Sequence, residues 1–249
     1  MTVVVHVGDL LVTCVSESDI ETFCRYLNKV YPETKETRGA FVDYIVMNFD
    51  FATVGEVKVT MDNCVNDILQ DCGVTNVRAT PATATLFDVR DAPRAMEHER
   101  KYFHTYVAKM LYVAKRVKPE CLTVVAFLST TAVTVCDLDD MAKLRRLLGY
   151  VLGTRERGIV FRMGKELTVN VFIDAAYGVH QNSGESQTGC VIILGEQGPL
   201  YAKSSKQKIV TKSSTEAELV GLSDTASQAI NTRCFLMAQG YDVGPAKIH

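Results

Sequence analysis

The spacing of apolar residues changes repeatedly along this 249-residue chain, and each change predicts a new element. Two apolar runs, Val3 to Val5 and Leu10 to Val15, flank Gly8-Asp9, a pair with turn chemistry, so the spacing predicts a β-hairpin. Ile20, Phe23, Cys24, Leu27 and Val30 then recur at helical spacing behind Ser16 and Asp19, which match a capping pair, and Tyr31-Pro32 ends that helix. A second strand pair is expected over Val42 to Asp50 and Glu56 to Thr60 around Gly55. Val65, Ile68, Leu69 and Cys72 form a helical stripe after Asp62, closed by Gly73.

Residues 75 to 95 hold Thr, Ala and two of the six prolines without a period, which predicts a connecting segment and a boundary. Beyond it Phe103, Val107, Met110, Leu111 and Ala114 line one helical stripe. Met141, Leu144, Leu148 and Val151 line another behind the cap candidate Asp137. Leu167, Val169, Val171 and Ile173 then alternate at period two, followed by short apolar runs at Val191 to Leu194 and Leu200 to Ala202. A long helix over about Ser213 to Gln239 carries its apolar residues less regularly. The expected class is α+β, divided into residues 1–95, 96–157 and 158–249.

Composition narrows the classes of function. At 47% hydrophobic the chain can bury an ordinary core, and no window approaches the roughly 18 apolar residues of a membrane span. The expectation is a soluble protein of the cytoplasm, with the nucleus as second compartment and no membrane partner. Eight cysteines lie singly, with no C-x-x-C pair, which predicts reduced, partly buried thiols instead of a zinc module or disulfide scaffold. A net charge of -2 and a pI near 6.2 exclude nucleic-acid binding through global charge, so any such binding must use local patches.

Four acidic residues, at three places in the chain, invite a catalytic reading. Asp9 sits at the tip of the first predicted hairpin, an exposed carboxylate on a rigid turn. Asp174 ends the strand LTVNVFID before small residues that leave room for a divalent ion and a phosphate. Hard cations need several oxygen ligands from different elements, and Glu216 and Glu218 open the last helix. Ser213 and Glu216 match a capping-box spacing, and so do Thr215 and Glu218, so spacing alone does not separate the glutamates. Lys203, Lys206, Lys208 and Lys212 form a cationic stretch suited to phosphates, although a solvated face is the plainer reading of such a run. Lys143, Arg145 and Arg146 make another basic segment on the polar side of a helix.

Read in order, these segments resemble the C-terminal part of a copia-type retrotransposon reverse transcriptase followed by its ribonuclease H. HVGDLLVT resembles the polymerase palm hairpin, DYIVMNFDF the strand region after it, and Thr80-Pro81 the family's Thr-Pro. YFHTYVAKMLYVAKRVKPE and KLRRLLGYVLGT resemble thumb elements. FIDAAYG, SGESQTGCVIILG and SSKQKIVTKSSTEAEL resemble the first half of the ribonuclease H domain, the last of these most specifically.

The resemblance implies a partial palm and helical thumb, then an incomplete ribonuclease H-like mixed α/β domain with one sheet edge open. It implies Asp174 and Glu218 as catalytic metal ligands for Mg²⁺, with Glu216 capping, and hydrolysis of RNA in an RNA:DNA hybrid. Asp9 would be the remaining polymerase ligand, because Gly8 and His6 stand where the family's first Asp and its Tyr fall. Val46 and Ala108 replace glycines usual in the family. The expected partners are a nucleic-acid template and the rest of the polyprotein. The chain is then expected to be inactive alone, and a non-catalytic nucleic-acid binding remnant or a decayed reading frame is the alternative.

Overall fold

The computed structural model describes residues 1–131, 136–162, 164 and 167–249, and the fold is mixed α and β. The first hairpin pairs β1 (Thr2–His6) with β2 (Asp9–Thr13), and helix α1 (Glu17–Val30) follows, its N-cap Ser16 accepting the Asp19 N–H. In the hairpin turn it is Val7, not Gly8, that takes the positive φ, at 53°.

The run from Val42 to Asp50, expected as one strand, is itself a hairpin of β3 (Phe41–Tyr44) and β4 (Met47–Asp50). Ile45 (φ 49°) and Val46 (φ 64°) make its turn, and a two-residue turn with both φ positive matches the right-handed twist of the strands. Nothing in the local sequence announces it, since β-branched residues are the costliest occupants of that conformation. Strand β5 (Glu56–Thr60) pairs with β4, and α2 (Asp62–Cys72) ends at Gly73, whose φ of 66° is the left-handed cap predicted from glycine.

Helices α3 (Glu97–Ala114), α4 (Leu122–Ser129) and α5 (Leu138–Gly153) form the larger core with α2 and the inner face of β5. Phe103, Met110, Leu144, Leu147 and Leu148 are fully buried there, and truncating such a side chain to alanine costs about 2 to 5 kcal/mol. The α4 sequence LTVVAFLS is apolar on every side and carries no amphipathic signal. It is helical because it is enclosed, lying against α3 on one side and the second sheet on the other.

After α5 the chain returns to the first sheet. Strand β6 (Ile159–Arg162) pairs antiparallel with β5, giving the order β3-β4-β5-β6. These residues fall in the last segment of the sequence-based division, but their hydrogen bonds belong to the first sheet.

The second sheet has the order β10-β7-β8-β9. It joins β7 (Val169–Ala176), β8 (Gln187–Leu194) and β9 (Pro199–Lys206) antiparallel, with β10 (Lys247–Ile248) parallel to β7. The last helix, α6 (Ser214–Ala238), crosses β7 and β8. Its buried positions are Ala217, Gly221, Thr225 and Ala229, four residues apart and all small. That stripe lets the helix approach the sheet closely: a Cβ on Gly221 would lie 3.4 Å from both Ile173 Cγ2 and Thr188 Cγ2. It also explains the irregular hydrophobic period, because larger residues such as Leu219, Ile230 and Phe235 point to solvent.

Candidate functional site

The period of two on β7 divides its side chains between faces. Val169, Val171, Ile173 and Ala175 face α6, whereas Asn170, Phe172 and Asp174 face the other way. Asp174 is exposed beside Gly189 in register, which leaves open space next to the carboxylate. It lines a cleft of about 460 Å³ shared with Phe172, Lys203, Ser204, His249 and the start of α4. His249 stacks on Phe172 with ring centroids 4.7 Å apart.

Glu218 comes from the first turns of α6. Its Oε1 accepts a hydrogen bond from the Ala175 backbone N–H at 3.1 Å. On the same strand the Ile173 N–H points toward β10, where the His249 carbonyl accepts it. The Ala175 N–H, two residues on, points to that same side beyond the end of β10. The Glu218 carboxylate is therefore held on the backbone of Ala175, the residue next to Asp174.

The two glutamates divide their duties. The Glu216 carboxylate accepts the Lys212 N–H at 2.7 Å, and its own N–H is accepted by Ser213 Oγ at 3.2 Å, so Glu216 belongs to the helix cap. Glu218 alone reaches the strand.

A residue outside the sequence-based candidates ties this arrangement together. Gln207, 2% exposed, donates from Nε2 to Thr188 Oγ1 at 3.0 Å and to the Ala217 carbonyl at 2.9 Å. Thr188 is the register partner of Ala175, and Ala217 precedes Glu218. One buried amide thus pins both elements that bring Glu218 to β7. The only hint in the sequence is its place in SSKQKIVTK, where it looks like a surface polar residue.

Of the remaining candidates, Lys203 lines the cleft beside Asp174 and the others do not. Asp9 lies in the first hairpin, exposed, and among the described residues no group of three His, Cys, Asp or Glu could hold a metal. The four lysines are dispersed as well. Lys203 and Lys206, three apart on β9, fall on opposite faces, Lys206 pairs with Glu185 at 3.1 Å, and Lys208 and Lys212 lie in the loop before α6. No disulfide links the eight cysteines, and Cys72, Cys121, Cys136 and Cys190 are buried. Among the described residues no helix is long and apolar enough to cross a membrane.

No family model matches the chain. A retrovirus-related Pol polyprotein from transposon RE1 of Arabidopsis thaliana is 33% identical over 90 residues, 36% of this chain and 6% of that protein. The corresponding polyprotein from transposon RE2 is 34% identical over 90 residues, with the same coverage. A transposon Ty5-1 protein of Saccharomyces cerevisiae is 21% identical over 230 residues, 91% of this chain and 73% of that protein. The chain is therefore homologous to retrotransposon proteins, and it spans about 6% of the length of the two plant polyproteins.

Proposed function

We propose that this chain is a stretch of a retrotransposon polyprotein in which the first sheet and helices derive from the palm and thumb of a reverse transcriptase. In the same reading the second sheet and α6 form part of a ribonuclease H that cleaves the RNA strand of an RNA:DNA hybrid. The observation that carries this reading is the hydrogen bond from Ala175 to Glu218. It brings an acidic residue of the helix to the strand that bears Asp174, the two residues named by the ribonuclease H resemblance.

Asp174 and Glu218 are hard oxygen donors from two different elements, a set that suits Mg²⁺, which one or two carboxylates can hold together with substrate phosphates. A paired-ion centre takes more carboxylates than the described residues bring together, so no two-metal step is assigned to this chain. Bound there, the ion supplies Lewis-acid polarisation of a phosphoryl oxygen. The protein's own part is positioning: Ala175 holds Glu218 by one carboxylate oxygen, Gln207 fixes the helix start, and Gly189 keeps the surface beside Asp174 open. A nucleic-acid template and the rest of the polyprotein are the proposed partners.

A labelled RNA:DNA hybrid tests the reading. The expected result is tighter hybrid binding with Mg²⁺ than with EDTA, lost in Asp174→Asn and Glu218→Gln, and little or no cleavage by the chain alone. Binding that ignores both the ion and the substitutions would overturn it. The alternative reading is nucleic-acid binding without catalysis. Hybrid binding with no response to Mg²⁺ would support that alternative.

A further inference from the structure

We infer that the cavity between the two sheets binds a small amphiphilic anion, an aliphatic chain ending in a carboxylate. Its volume is about 500 Å³, within the usual range for a small-molecule site. The floor is one face of the first sheet, where Phe49, Val59 and Ile159 are register partners across β4, β5 and β6. Helices α3 and α4 supply the walls through Leu111 and Leu122. The roof is β9, whose alternation turns Leu200, Ala202 and Ser204 to one face.

Side-chain size explains why this space persists. Ala114, Ala126 and Ala202, from α3, α4 and β9, stand at the lining where longer apolar side chains would close it. Protein interiors are close-packed, so a gap beside Met47, Phe49 and Phe161 leaves the apolar surface of these half-buried side chains uncovered. Pockets with apolar walls hold water poorly and take up apolar molecules instead. Covering that surface is the driving force for an aliphatic chain to enter.

The charge around the cavity selects the head group. Lys115 and Arg116, just after α3, line it, Lys203 joins them from β9, and among the described residues that line it none is acidic. Lys115 is exposed. Arg116 is held in place, with its guanidinium carbon 3.6 Å from the centroid of the Tyr112 ring and Nη1 donating to the Tyr112 carbonyl at 3.1 Å. That bond leaves most of its N–H donors for an anion, and a guanidinium matches the planar geometry of a carboxylate. An uncharged apolar molecule would leave these cations unused, and an ammonium head would be repelled by them.

Isothermal titration calorimetry of the whole chain with octanoate, decanoate and dodecanoate, each below its micelle concentration, tests this. Saturable binding at a single site is expected, tightening about fourfold for each added methylene that is buried. Ala126→Phe and Ala202→Phe fill the cavity from different walls and should each abolish that binding, whereas Ala108→Phe, at an exposed position of α3, should not. Lys115→Gln together with Arg116→Gln should weaken dodecanoate about fivefold and leave dodecyltrimethylammonium no weaker. If the filled variants lose their far-UV circular dichroism, the chain-length series on the unaltered chain decides.

Binding of dodecyltrimethylammonium as tight as that of dodecanoate would overturn the proposal, and so would uptake that does not saturate or no binding at all. Affinities that ignore chain length, or full binding by both filled variants while they remain folded, would do the same. The inference does not rest on the hydrolytic reading. Asp174→Asn should bind dodecanoate like the unaltered chain, so failure here and failure of that reading are separable.

Discussion

Glu218 Oε1 and the Ala175 N–H lie 3.1 Å apart across the seam between α6 and β7, although 43 residues separate them in sequence. Glu218→Ala should cost about 0.5 to 1.5 kcal/mol in urea unfolding followed by far-UV circular dichroism, because water can reach the freed amide. Glu218→Gln keeps an acceptor and should stay within about 0.5 kcal/mol of the unaltered chain. The two variants should therefore differ in stability while both lose the carboxylate charge.

Gln207 is the more sensitive position. Its truncation to alanine leaves the buried Thr188 hydroxyl without this donor and removes the side-chain bond to the Ala217 carbonyl, at a cost of about 1 to 3 kcal/mol. Hydrogen exchange should show the first turns of α6 opening more readily, whereas the α3 and α5 amides keep their protection.

The turn between β3 and β4 places two β-branched residues at positive φ, and Val46 is 55% exposed, so little packing would be lost on replacement. Ile45→Asn with Val46→Gly supplies residues suited to that turn type. The double variant should gain about 1 kcal/mol, read as a rise in Tm. A fall would show that the side chains contribute more by contact than they cost by strain.

Burial pushes the Cys121 thiol up to about 12 from an ordinary value of 9.0. Between these values the folded chain keeps a proton that the unfolded chain has released, so stability falls as pH rises through that window. Its share of the slope is at most about 1.4 kcal/mol per pH unit. Denaturation curves for Cys121→Ala at pH 8 to 11 should therefore decline less steeply than those of the unaltered chain, whatever the offset from the cavity left behind.

Most elements with a clear period are readable in the residues: Ser16 capping α1, Gly73 closing α2 and Asp137 capping α5 are all local signals. What escapes is whatever the rest of the molecule decides. The Ile45-Val46 turn opposes local preference, α4 is a helix by enclosure, and β6 exists because β5 offers a free edge. The candidate site divides in the same way. Glu216 and Glu218 are equivalent by spacing and are separated only by the approach of α6 to β7, which the small residues Ala217 and Gly221 permit. The lysine run is continuous in sequence, yet the alternation of β9 sends Lys203 and Lys206 apart.

The pairing of β6 with β5 bears on where the chain can be cut. A truncation starting the second sheet at residue 158 would carry away Ile159–Arg162 and leave the Glu56 to Val59 backbone as an unprotected edge. Such an edge recruits other strands, so the amino-terminal piece should self-associate. A cut placed beyond Arg162 keeps that seam closed.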